Sequence, residues 1–186
     1  MKKLVLLTAA VALIATISAT GQSKLVSSKS HIKFFSTTPA ENIEAHNTTA
    51  VSTINPASGE IVFSVPMQGF EFEKAMMQKH FNGEDFLNTQ EFPKAKLTGK
   101  ITNPDKVNFN ADGTYEASVE GELTIKGVTK PVKEKGTIIV KGGKVDANSK
   151  FNITLADYGV TFVKGKPASN IAKTVEITLQ AEYAIQ

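Results

Sequence analysis

From Tyr115 onward, small or apolar residues and polar ones take strict turns. Tyr115, Ala117, Val119, Gly121, Leu123 and Ile125 fall on one side, with Glu116, Ser118, Glu120, Glu122, Thr124 and Lys126 on the other. A period of two places successive side chains on opposite faces of an extended chain, so this segment is a β-strand with one dry and one wet side. The same test succeeds for Ala95, Leu97, Gly99 and Ile101, for Val145 to Leu155, and for Val175, Ile177, Leu179, Ala181, Tyr183 and Ile185. Weaker versions run through Leu25–Phe34, Ile43–Val51, Ile61–Val65 and Val128–Val140. About eight strands result, with turns signalled at Asn55-Pro56, Asp112-Gly113 and Gly142-Gly143. Phe72–Phe81 breaks the alternation. Apolar pairs four apart (Phe72 with Met76, Met77 with Phe81) predict a short helical insert near residues 71–90.

Strands with one dry face and no crossover helices must close into a barrel or stack as a sandwich. The dry faces are rich in small residues: Ala45, Ala95, Gly99, Ala117, Gly121, Gly136, Ala147 and Ala181. Facing sheets of a sandwich would leave voids at such positions, each costing about 1 kcal/mol per missing methyl. A closed barrel can use them to leave an elongated cavity for an apolar guest. The glycines have a second explanation, since Gly99, Gly121 and Gly136 would also let strands bend at barrel corners. Both readings stay open, and the second leaves the alanines unexplained. The expected fold is all-β, an extended antiparallel barrel.

Composition narrows the chemistry. None of the 186 residues is Cys or Arg, which excludes thiol catalysis, disulfides, Cys-ligated zinc and bidentate Arg grip on phosphate. Met1-Lys2-Lys3, the apolar run Leu4–Ile17 and the small residues Ser18 to Gly21 read as a secretory signal peptide over 1–21. The barrel domain is then 22–186, periplasmic or secreted, with no stable membrane span after cleavage. Removing Lys2 and Lys3 lowers the formal net charge from +3 to +1, too little to recommend nucleic acid as a partner.

Searches for catalytic constellations fail. The chain contains no G-x-S-x-G, P-loop, H-E-x-x-H or G-x-G-x-x-G. Asn108 to Gly113 imitates the start of a calcium loop, but the twelfth position is Val119 where a bidentate Glu is needed. His31, His46 and His80 have no metal-ligand spacing, so no metal site and no cofactor are expected. Lys164, Gly165 and Lys166 form the loop best suited to face an anionic head group, although a solvated loop accounts for them more simply.

Two blocks carry a family resemblance. Met77-Gln78-Lys79-His80-Phe81-Asn82-Gly83-Glu84-Asp85-Phe86-Leu87-Asn88, followed by Glu91-Phe92-Pro93-Lys94-Ala95-Lys96-Leu97, resembles the signature of the YceI-like family. Gly121-Glu122-Leu123-Thr124-Ile125-Lys126-Gly127-Val128-Thr129-Lys130-Pro131-Val132 is similar to that family's G-x-L-T-x-x-G-V-T-K-P-V hairpin. The resemblance implies an extended lipocalin-like barrel, exported to the periplasm, with a polyisoprenoid or similar chain inside. Ile43-Glu44-Ala45-His46-Asn47 departs from the His- and Gly-rich hairpin found in many relatives, which bears on the barrel mouth and head-group preference.

The preferred reading is a non-catalytic binding protein for a long-chain lipid, polyisoprenoid or fatty-acyl. Its expected lumen contacts are Ile61, Phe63, Leu97, Ile101, Val119, Leu123, Phe151, Ile153, Ile177 and Leu179. Phe81 and Phe86 are candidate gates, and Lys164 and Lys166 candidate head-group contacts. A homodimer sharing the ligand is compatible with the sequence. The alternatives are an envelope barrel with a packed lumen that binds a partner, or a lipid-acting enzyme. An enzyme needs polar groups inside, and the dry faces offer Tyr115, Tyr183 and Ser149.

Overall fold

The computed structural model describes residues 24–39, 41–161 and 172–184. Their strands are β1 (Leu25–Thr37), β2 (Asn42–Asn47), β3 (Val51–Ile54), β4 (Glu60–Pro66), β5 (Phe70–Phe72), β6 (Lys94–Ile101), β7 (Gly113–Ile125), β8 (Val128–Lys141), β9 (Lys144–Thr154) and β10 (Thr174–Ala184), with α1 at Ala75–Asn82 between β5 and β6. Pairing runs β10-β9-β8-β7-β6-β4-β3-β1-β2-β5, and β10 also pairs with β1. That last ladder closes an antiparallel barrel of eight staves, with β2–β3 and β4–β5 each serving as one broken stave. Closure gives every long strand a partner on both sides over at least part of its length. The expected signal peptide, Lys164, Lys166 and Ile185 lie outside the described residues.

Local chemistry explains the hairpins. Lys126 and Gly127 both have positive φ (49° and 74°), as do Gly142 and Gly143 (55° and 76°). These are two-residue turns whose twist matches that of the flanking strands, Ile125 facing Val128 and Lys141 facing Lys144. The break between β2 and β3 is pinned by Asn47, which is fully buried. Its Nδ2 donates to the Pro66 carbonyl at 2.7 Å, while its Oδ1 accepts from the Thr49 amide at 2.9 Å and the Thr49 hydroxyl at 3.0 Å. One amide therefore ties together the two corners that split β2 from β3 and β4 from β5.

The weak alternation of β1 also has a cause. A bulge between Ser27 and Lys29 shifts its register against β10, so the buried side changes from the odd position Leu25 to the even positions Ser30, Ile32, Phe34 and Ser36. Gly99 and Gly121 face each other across β6 and β7. A Cβ on Gly99 would stand 2.7 Å from the Glu120 carbonyl, and one on Gly121 would run into the Thr98 carbonyl. These glycines permit close approach of the two strands.

Candidate functional site

The dry faces meet around two apolar cavities, of about 210 Å³ and 80 Å³. Phe63, Leu97, Leu123, Phe151 and Leu179 face both, forming a waist between an outer chamber and an inner one. Of the other sequence-predicted contacts, Ile153 and Ile177 line the outer chamber, and Ile61, Ile101 and Val119 line the inner one. All ten positions are thus brought together, by five different strands. Three of the alanines divide likewise, Ala95 to the outer chamber and Ala117 and Ala147 to the inner, while Ala45 and Ala181 are buried without lining either. The missing side-chain volume of the first three is part of the free space.

The two ends of the lumen differ. Past the inner chamber Val145 and Tyr183 are almost wholly buried and, with Ile54 and Ile101 of the chamber's own lining, close the barrel as a packed core. There the Tyr183 hydroxyl meets the Ser52 hydroxyl at 2.6 Å. Burial drives the Tyr183 pKa up to about 12, with the Ser52 bond acting in the opposite direction. The outer chamber is bounded by aromatic rings. Phe81 of α1 is buried, stacks on Phe34 at 5.6 Å, and contacts Phe70 at 5.5 Å, Phe72 at 5.0 Å and Phe86 at 6.3 Å. Phe81 and Phe86 therefore sit at the lining, as two members of a five-ring group. Sequence reasoning missed Phe34, Phe70 and Phe72. Phe70 and Phe72 lie on the three-residue strand β5, too short for alternation to register.

Sequence reasoning also missed Glu134. Even positions of β8 turn inward: Val132, Gly136, Ile138 and Val140. Glu134 lies between the first two and lines the inner chamber. The signal was available in that even-numbered alternation, though Lys130 and Glu134 blur it. Desolvation raises the Glu134 pKa, and the buried Tyr158 phenol is raised by burial first, then by Asp157 and Glu134.

Outside the lumen, His31 Nε2 and His46 Nδ1 approach to 2.9 Å, and His46 Nε2 meets Glu44 Oε1 at 2.9 Å. Desolvation pulls the Glu44 pKa upward, but Lys33 and His46 together hold the carboxyl below its usual range. Among the described residues no three His, Asp or Glu gather in a way that would hold a metal ion, and no helix is long and apolar enough to cross a membrane.

Comparison with known proteins agrees with this architecture. The model of the YceI-like domain matches residues 18–183. A UPF0312 protein of Pseudomonas fluorescens is 32% identical over 121 residues, covering 62% of this chain and 60% of the relative. A UPF0312 protein of Yersinia pestis is 31% identical over 134 residues, covering 69% of this chain and 64% of its own length. The match thus spans less than two thirds of these relatives. A polyisoprenoid-binding domain from Saccharophagus degradans superposes with a TM-score of 0.72 at 12% identity, covering 89% of this chain and 99% of that one. Burkholderia cenocepacia BcnA gives 0.67 at 19% identity, with 82% and 95% covered. A Campylobacter jejuni YceI protein gives 0.57 at 18%, with 74% and 81% covered. At such identities the structures speak for the fold alone, whereas the family match runs nearly the length of the barrel. The chain belongs to the YceI-like family.

Proposed function

We propose that this protein is exported and holds a long apolar chain, polyisoprenoid or fatty-acyl, in its lumen without acting on it chemically. The observation that carries the reading is the pair of apolar chambers joined at a waist, shut at one end by packed core and lined at the other by phenylalanines. Free apolar space of this kind is the opposite of a packed structural barrel. Each CH₂ removed from water there contributes about 0.8 kcal/mol. The polyisoprenoid-binding domain that shares this fold supports the choice of ligand class, and the apolar run of residues 4–17 supports export. A non-catalytic role is supported by the predominantly apolar lining of both chambers.

Native mass spectrometry of protein purified under mild conditions tests the reading, together with uptake of a fluorescent polyene. Co-purified lipid or saturable uptake is expected. A lipid-free preparation that also refused the polyene would overturn it.

A further inference from the structure

An apolar lumen selects guests by length and girth, and distinguishes poorly between chains that differ only in a polar group. Such discrimination needs a polar side chain on the wall. Among the described residues lining either chamber, Glu134 supplies the carboxylate. Its direction follows from the ladder: Glu134 stands opposite Val119 on β7, which stands opposite Ile101 on β6, and both apolar partners line the inner chamber. Its sequence neighbour Lys133 points the other way and pairs with Glu120 at 2.9 Å on the wet face. Glu134 has no hydrogen-bond or ion-pair partner among the described residues.

The barrel wall changes at this point. The β8–β9 ladder runs from Lys141↔Lys144 to Gly136↔Ser149 and ends, yet β8 continues back to Val128 and β9 on to Thr154. Ser149 Oγ donates to the Lys135 carbonyl at 2.6 Å, a last stitch at the edge. Beyond it lies a slot between 128–135 and 150–154 that no strand pairing closes. A 3-10 turn, Leu155–Tyr158, packs against β8, bringing the buried Tyr158 near enough for Glu134 to act on its ionisation. Glu134 is half-buried where the inner chamber meets this slot.

A carboxylate can only accept hydrogen bonds unless it takes up a proton. A hydrocarbon pressed against it would strip its water without compensation, and an anionic head group would be repelled. A hydroxyl or ammonium would compensate it. We propose that Glu134 reads a hydrogen-bond-donating group on the guest, so that the lumen takes neutral or cationic amphiphiles in preference to anionic ones of equal chain length. This rests on the lumen reading above and specifies its ligand class. Lys96 lines the outer chamber and Lys135 the inner one, but both are exposed, so an anion beside either would gain little over water.

The test is displacement of a bound fluorescent polyene by dodecylamine, dodecanol and dodecanoate at neutral pH, for the parent protein, Glu134→Gln and Glu134→Leu. In the parent, the amine and the alcohol should each compete about tenfold better than dodecanoate, the scale of one hydrogen bond to a charged group. Glu134→Gln should remove the amine's advantage and keep most of the alcohol's. Glu134→Leu should remove both. Glutamine preserves the shape at a half-buried site, so the comparison survives even if the leucine variant folds poorly. The same rank order in parent and Glu134→Gln would overturn this inference while leaving the lumen reading intact. Failure of the parent to take up the polyene at all would overturn both.

Discussion

Tyr183 and Ser52 show how a single polar contact fares inside this barrel. The phenol is 1% exposed and shares a 2.6 Å hydrogen bond with a hydroxyl that is equally buried. Its folded pKa, about 12, lies above the ordinary 10.0. The folded state therefore holds that proton more tightly than the unfolded one, and the associated stability is fully present below pH 10 and lost as pH rises towards 12. By linkage the loss approaches about 3 kcal/mol. Tyr183→Phe should cost about 1–3 kcal/mol near neutrality, because the Ser52 hydroxyl is left unpaired. It should also flatten the alkaline limb of the stability curve relative to the parent. Urea unfolding from pH 7 to 11.5 measures both. If the variant's alkaline limb were as steep as the parent's, the buried phenol would not be the source. Glu134 is a residue-scale feature of a different kind, because its inward direction is set by register against β7 rather than by its own chemistry.

At the scale of elements, the glycines and alanines of the dry faces separate into two jobs that alternation alone could not distinguish. Gly99 and Gly121 bring β6 and β7 together, so Gly121→Ala drives a methyl into the Thr98 carbonyl and the Gly99 Cα. A loss of about 3 kcal/mol is expected, the upper end for overpacking against backbone. Gly142 sits in the β8–β9 turn at φ 55° with nothing near its virtual Cβ. Gly142→Asn should therefore cost less than about 1 kcal/mol, since Asn tolerates that conformation. Thermal or urea unfolding of the pair would show whether close approach or turn geometry is the stricter demand. Similar losses in both would remove the close-approach argument. The hairpins around Lys126-Gly127 and Gly142-Gly143 were legible because turn residues and flanking alternation agree. The split of one long stave into β2 and β3 was not, since Asn47 reaches the Pro66 carbonyl only after the corners have met.

For the whole molecule, the proposed function makes a statement about length. The two chambers, about 210 Å³ and 80 Å³, hold a chain of limited length. Affinity should rise with each added CH₂ up to that length and level off for longer chains. Filling the inner chamber should shorten the optimum by several carbons without abolishing binding. Ala117→Leu or Ala147→Leu does this, since both alanines line that chamber. Calorimetry of alcohols of increasing length on the parent and the two variants would reveal the shift. An unchanged optimum would mean that the inner chamber takes no part in binding.

Which face of each strand is wet follows from the order of the residues, because a period of two admits one backbone and hydrophobicity chooses the side. The antiparallel barrel, the helical segment before β6 and the ten apolar positions around the lumen were readable on that basis. Three things depended on closure. The bulge in β1 exchanges odd for even positions inside, the end of the β8–β9 ladder opens a slot in the wall, and the register between β7 and β8 turns one carboxylate inward. Each is a relation between strands distant in sequence, fixed when the sheet curls until β10 meets β1. Local pattern decides that a strand has a dry face; only the closed sheet decides what that face surrounds.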